Sequence, residues 1–277
     1  MKNAAKPTLL SLLHPIFPTL IGAFILLAAG CEGTNEPAGG NRFTMSAMYS
    51  NGQTGAAALK TALPASVSGS VDSVTVSRAR IVLSKLKLES DDDTVMFRTP
   101  PFVLELNLAG RVQQIAVSSV PPGAYDEVTL KIHRVDSADV AGLPSGTADQ
   151  FADFLADGGY SIIIEGRVYR NADSGTAFTY RSAVSKRLEF DLRPPVVVSD
   201  SVPTANVTFI VGSEKWFKGG EGCLIDPADS TNRERIDENL ARSVQMVKDH
   251  DCNGYDDDGY AGRRDSEDDG GHEQDDD

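Results

Sequence analysis

Apolar side chains recur at every second position through most of the middle of this chain. Phe43, Met45, Ala47 and Tyr49 alternate with Thr44, Ser46, Met48 and Ser50, the period expected of a strand with one buried face. From Val74 and Val76 a longer run continues through Ala79, Ile81 and Leu83, set against Arg78, Arg80 and Val82, and on to Leu86 and Leu88. Phe102, Leu104, Leu106 and Leu108 form the next alternation, after the break at Pro100 and Pro101, and Val112 to Val120 a weaker one. Pro121-Pro122-Gly123 has turn chemistry, and Val128, Leu130 and Ile132 alternate behind it. Tyr160 to Arg170 and Ala177 to Ser182 predict a hairpin around Asn171 to Gly175. Leu188, Phe190 and Leu192, then Val196 to Val198, then Val207, Phe209 and Val211 supply the remaining strands. Short strands, frequent turn signals and little helix predict a mainly β fold. The expected form is an antiparallel β-sandwich, immunoglobulin-like or transthyretin-like, because one-sided alternation suits two packed sheets.

Helical spacing appears twice. Between Asp136 and Gly159, Thr147 and Gln150 have capping-box spacing, Phe151, Phe154 and Leu155 share one helical face, and Gly158 follows as a stop. This predicts a short helix in a crossover. Near the far end Thr231 and Glu234 repeat the capping spacing, and Ile236, Leu240, Val244 and Val247 recur at helical intervals. They predict a helix over residues 232–248 whose apolar stripe packs near Trp216 and Phe217. Residues 51–72 are expected to be a loop and Asp91 to Asp93 a turn.

The amino end carries an address. Lys2 and Lys6 precede an apolar run from Ile16 to Ala29, shorter than the roughly 20 residues a membrane span needs. It ends in Ala28-Ala29-Gly30 directly before Cys31. That arrangement resembles the signal peptide and lipobox of bacterial lipoproteins, with Ala28 where leucine is more usual and Leu27 one step earlier. The resemblance implies cleavage before Cys31, acylation of Cys31 (palmitate among the chains) and attachment to a membrane by lipid. Glu32 follows rather than the Asp associated with inner-membrane retention, which favours an outer-membrane destination. Residues 31–42, rich in Gly, Pro and polar side chains, are expected to be a tether.

Charge narrows the partners. The 277 residues carry a formal charge of −14, and loss of residues 1–30 with their two lysines makes it −16. Such a chain is not expected to bind nucleic acid, whose phosphates require a basic surface. The last 22 residues hold eleven carboxylates against Arg263 and Arg264, and residues 261–277 have the composition of a disordered acidic tail. With Cys31 acylated, Cys223 and Cys252 remain, a candidate disulfide in an oxidising exported setting.

Three segments occur in the same order in bacterial lipoproteins that carry a β-sandwich domain without an assigned activity. They are Arg80-Ile81-Val82-Leu83-Ser84, Pro101 to Leu106 and Val120 to Tyr125, followed by Lys215-Trp216-Phe217 and Leu224 to Pro227. The chain resembles them over most of residues 74–258, which implies their fold. The segment Asp249-His250-Asp251-Cys252-Asn253-Gly254-Tyr255-Asp256-Asp257 has oxygen-bearing side chains at loop places one, three, five and nine and glycine at six, a pattern suited to a hard cation. It resembles the calcium loops of EF-hands and thrombospondin type-three repeats. By position, Asp249, Asp251, Asn253, the Tyr255 carbonyl and Asp257 would hold Ca²⁺. Place twelve is Tyr260 rather than Glu or Asp, so a weak site is expected, on the order of 10⁻⁴–10⁻³ M. A solvated acidic tail would carry the same residues without a metal.

No nucleophile–base motif is legible. His133, His250 and His272 are the histidines beyond residue 30, and no carboxylate pair, phosphate-cradling glycine loop or closely spaced cysteine set stands out. The expected organisation is a signal peptide (1–30), a tether (31–42), a sandwich (43–217), a helix with the cation loop (218–260) and the tail (261–277). The expected function is non-catalytic: a lipid-anchored envelope protein that binds a surface glycan or protein. A structural spacer without a ligand site is the alternative, and a secreted hydrolase the more distant one.

Overall fold

The computed structural model describes residues 41–51, 58–60, 71–90, 95–171, 174–249 and 251. Twelve strands lie in these stretches: β1 (Arg42–Ser50), β2 (Ala58–Lys60), β3 (Ser73–Ser90), β4 (Val95–Arg98), β5 (Phe102–Glu105), β6 (Gln113–Ser119), β7 (Gly123–Ile132), β8 (Ile162–Tyr169), β9 (Thr176–Ser182), β10 (Lys186–Val198), β11 (Thr204–Gly212) and β12 (Val244–Lys248). Three short helices join them, α1 (Ser137–Ala141), α2 (Ser145–Ala148) and α3 (Arg233–Ala241). The small sheet has the order β12-β11-β1-β6, and the large sheet is built on β3. The two pack together as the expected mainly β sandwich. Every pairing is antiparallel except β1 with β11, which run parallel from Arg42↔Thr204 to Ser50↔Gly212.

The 18-residue β3 organises the large sheet. Ile81 pairs with both Leu104 of β5 and Ile162 of β8, while Leu83 pairs with both Phe102 of β5 and Ile132 of β7. One residue cannot face two strands on one edge. So β8 and then β7 follow each other along one edge of β3, with β5 on the other. The apolar spacing already contains the irregularities that make this bend. The steps Val76 to Ala79 and Leu83 to Leu86 are three residues rather than two, and register shifts fall between Val76 and Arg78 and between Leu83 and Lys85. Each extra residue returns the next apolar side chain to the core face. Gly166 lies opposite Val76 at the first shift, where a Cβ would sit 2.0 Å from the Thr75 carbonyl oxygen. Only glycine lets β8 approach there.

The core lies between the sheets. Phe43 meets Tyr125 with ring centroids 6.4 Å apart, Phe209 meets Phe190 at 6.1 Å, and Tyr49 meets Trp216 edge-on at 6.0 Å. A second apolar cluster lies outside the large sheet, where Phe151 and Phe154 cover Val82 and Ile163 with Val135 and Val140. Leu155 packs partly buried against it, as the shared face of Phe151, Phe154 and Leu155 predicts. The capping box of this insert is not at Thr147. Asp136 caps α1, its carboxylate accepting from the Ala138 and Asp139 backbones while Asp139 reaches back to the Asp136 N–H. Thr147 lies inside α2 behind Pro144.

The helix expected over residues 232–248 is shorter. α3 ends at Ala241, and the Ser243 hydroxyl and N–H both close on the Leu240 carbonyl. Val244 to Lys248 then pair with the open edge of β11. The physical reason is local. Val244 and Met246 both reach the core at strand spacing, and pairing supplies partners for backbone groups that β11 would otherwise leave open. Thr231 does not cap α3 either, since Asp229 accepts from the Thr231 backbone one turn earlier. Ile236 and Leu240 do join the core with Trp216 and Phe217. Residues 218–248 therefore complete the sandwich rather than hang from it.

Candidate functional site

The expected cation loop begins where β12 ends, and that point is firmly held. Asp249 is fully buried. Its Oδ2 accepts a hydrogen bond from the Thr208 hydroxyl at 2.6 Å, and its carbonyl accepts from Asn206 Nδ2 at 2.6 Å. The Ser46 hydroxyl donates to Asn206 Oδ1 at 3.1 Å. Asn206 and Thr208 have the outward parity of β11, opposite to Val207 and Phe209, so the network lies on the outer face of the small sheet. Lys248 adds a bond from Nζ to the Pro194 carbonyl at 2.8 Å, tying the end of β12 to β10. Burying these polar groups is tolerable because they satisfy one another. Asp251 is exposed. Asn253, Tyr255, Asp257, His250, Cys252, His272 and Cys31 fall outside the described residues. Cys223 is exposed, and no disulfide occurs among the described residues. Nor do the described residues contain a group of three His, Cys, Asp or Glu side chains placed to hold a metal.

A polar groove of about 980 Å³ separates α3 from the β9–β10 connection, lined by Ser185, Lys186, Thr231, Glu234, Asp237 and Arg242 among others. Behind the lining, the buried Tyr180 donates its hydroxyl to Asp237 Oδ1 at 2.7 Å and lies under the Arg233 guanidinium, 5.6 Å from the ring centroid. Burial, and then the Asp237 carboxylate, push the Tyr180 pKa far above the usual tyrosine value. The hydroxyl therefore stays a donor at every ordinary pH. At the rim the half-buried His133 places Nδ1 2.8 Å from Oγ of the exposed Ser185. The sequence had no signal for this pair: the residues are 52 apart, one just after β7 and the other just before β10, and meet because β10 lies beside β7. Trp216, by contrast, is buried in the core.

The outer face of the large sheet divides by charge. Along the first half of β3, Arg78 makes two bonds to the Glu105 carboxylate, at 3.0 and 2.6 Å. Arg80, buried against the Phe154 ring, reaches Asp153 at 2.7 Å and Glu165 at 3.5 Å. The Arg78 hydrogen bond holds Glu105 below the usual carboxylate range, and Arg80 does the same for Asp153.

Along the second half the pairing register sets like beside like. Lys85 faces Lys131, and Lys131 faces Arg187; Lys87 faces Arg98; Glu89 faces Glu127, and Glu127 faces Asp191. Lys87, Arg187 and Arg193 form ion pairs with Glu89, Glu189 and Asp191 on their own strands, at 3.9, 2.7 and 3.5 Å. Lys85, Lys131 and Arg98 have no acidic partner among the described residues. Partial burial, then Lys87, Arg98 and Lys131, lower the Lys85 pKa. Glu127 is pushed up, first by burial and then by Glu189 and Glu89. Thr129 lies within hydrogen-bond distance of both Glu127 and Glu89, but has only one hydroxyl proton to give. The individual charges were legible in the sequence. Their opposition was not, because it depends on the shift between Leu83 and Lys85. No protein family, curated protein or solved structure matches the chain, so the geometry of this sandwich and its polar surfaces carries the functional reading.

Proposed function

We propose that this protein is a lipid-anchored, non-catalytic binding module of the cell envelope, attached through Cys31 and engaging a surface glycan or envelope protein. The observation that supports it most is the groove beside α3. It is broad, hydroxyl, carboxylate and basic side chains line it, and Tyr180 holds Asp237 in place, a set of groups able to hydrogen-bond a polar partner. In this reading the acidic turn after Asp249 binds calcium weakly and stiffens the end of the sandwich, with the Ser46–Asn206–Thr208 network holding its first residue. The test is capture of a partner from native membranes by the full chain and by a Lys186→Glu/Glu234→Lys variant. Binding that falls at least tenfold in the variant supports the groove, and equal binding by both sets it aside. Partition of a Cys31→Ala chain into the aqueous phase, where the parent stays with detergent, would support the anchor.

A hydrolase reading draws on His133 and Ser185 alone. Covalent labelling of Ser185 by an organophosphonate serine probe would favour it, and failure to label, with Ser185→Ala as the blank, would dismiss it.

A further inference from the structure

On the outer face of β4, β3, β7 and β10, Lys85, Lys131 and Arg98 crowd together without acids of their own. Like charges directly opposite each other across strands are destabilising, so folding does not reward this arrangement. Three facts say what would cover it. Of the carboxylates on the same face, Glu89, Glu189 and Asp191 already have cations on their own strands, and Glu127 faces Glu89 and Asp191. The whole chain is strongly acidic, so the basic strip runs against its overall charge. And the most concentrated anion available is in the chain itself: residues 265–277 hold eight carboxylates and no Lys or Arg.

We propose that the acidic segment Asp265 to Asp277 docks in cis on the strip formed by Lys85, Arg98 and Lys131. Its reach follows from the fold. The chain leaves the sheet at Asp249 beside β10, where Lys248 holds the Pro194 carbonyl. From Pro194 to Arg187 is about 23 Å along the strand, and Lys131 and Lys85 lie about 5 and 10 Å to the side. The sixteen residues from Asp249 to Asp265 extend to roughly 50 Å, which still exceeds this path when about 10 Å is added for the spacing of the two sheets. Tethering on that scale places the segment at an effective concentration of about a millimolar, so contacts that are weak one by one still populate the docked form. The same surface would otherwise attract a free polyanion, which the docked segment would have to leave first. This rests on the strip and the segment alone and stands whether or not the groove beside α3 binds a partner.

Carbodiimide cross-linking tests it on the full chain. The reagent activates a carboxylate and leaves as its urea when a nearby lysine amine attacks, joining the two by an amide. Mass spectrometry is expected to find Lys85 and Lys131 joined to peptides from residues 265–277, with yields falling at least fivefold between about 20 mM and 1 M NaCl, where screening shortens to a few ångströms. Mixing isotope-labelled and unlabelled chains separates the arrangements. Links within one isotope support docking in cis, whereas mixed-isotope links replace it with a second copy. Lys85 and Lys131 left unlinked while other lysines react, or links indifferent to salt, overturn the proposal. A Lys85→Gln/Arg98→Gln variant keeps Lys131 as reporter. It is expected to lose most of the Lys131 link while circular dichroism stays unchanged, and a full yield there also overturns the proposal.

Discussion

The two halves of β3 face solvent in opposite ways. In the first half Arg78 and Arg80 are matched to Glu105, Asp153 and Glu165, and the insert from Asp136 to Gly159 lays Phe151 and Phe154 over Val82 and Ile163. In the second half Lys85 opposes Lys131, Glu89 opposes Glu127, and three cations have no acid among the described residues. One strand thus carries a finished surface and an unfinished one. The lesson is that charged alternation along a strand says nothing about satisfaction. Satisfaction depends on which residue the register sets opposite.

The strongest way to break the contrast is to open the finished half. Phe154→Ala removes a fully buried ring from beneath the Arg80 guanidinium, and a loss of about 3–5 kcal/mol is expected by chemical denaturation. Amide exchange should speed up across residues 136–159. A loss under about 1 kcal/mol would mean that the insert does not depend on this cover. Gly166→Ala strikes the bulge that bends β3. A Cβ 2.0 Å from a backbone oxygen forces the strands apart, and roughly 1–3 kcal/mol should be lost in the same assay.

Asp249→Ala takes the acceptor from the buried Thr208 hydroxyl, and about 1–3 kcal/mol of destabilisation is expected. Repeated in calcium and in chelator beside Asp251→Ala, thermal unfolding separates two roles. A calcium-dependent rise lost in both variants assigns them to a metal loop. Destabilisation by Asp249→Ala alone, with no calcium effect in the parent, leaves the carboxylate as a structural anchor.

The smallest effects sharpen the unfinished half and should carry the opposite sign. Glu127→Gln removes the negative charge that faces Glu89 and Asp191 across the strands while keeping an oxygen that can accept from Thr129, and a gain of a few tenths to about 1 kcal/mol at neutral pH is expected. The pH dependence has a definite direction. The Glu127 pKa is raised in the fold, so its contribution is complete below the unfolded carboxylate range and is lost as pH rises through the folded value. Glu105 and Asp153 are lowered and act oppositely, losing their contribution as pH falls through their folded values. The gain from Glu127→Gln should therefore vanish in acid. A gain that persists below the carboxylate range would contradict the assigned cause.

Much of the sandwich was legible because burial on one face imposes a period of two, and even the bulges of β3 appear as three-residue steps between apolar side chains. The failures lie where two periods overlap. Ile236, Leu240, Val244 and Val247 satisfy a helix on paper, but Val244 and Met246 satisfy a strand as well, and the open edge of β11 decides between them. The parallel pairing of β1 with β11 joins segments about 160 residues apart, and no local pattern records it. For the same reason the contact of His133 with Ser185, the burial of Asp249 under Thr208 and the opposition of Lys85 to Lys131 emerge only from the assembled sheets. Of the expected calcium ligands, Asp249 and Asp251 lie among the described residues and the others do not.

The contrast between the halves of β3 is tested most directly by thermal unfolding against NaCl concentration. The full chain and a chain ending at Ala261 would be compared, each with and without Lys85→Gln/Lys131→Gln. Both lengths keep every described residue. The full chain should be the more stable at low salt, the difference should close by about 1 M NaCl, and the double substitution should abolish it. Parallel salt curves for the two lengths, or a difference that survives the substitution, would contradict the view that the second half of β3 is completed by the chain's own acid.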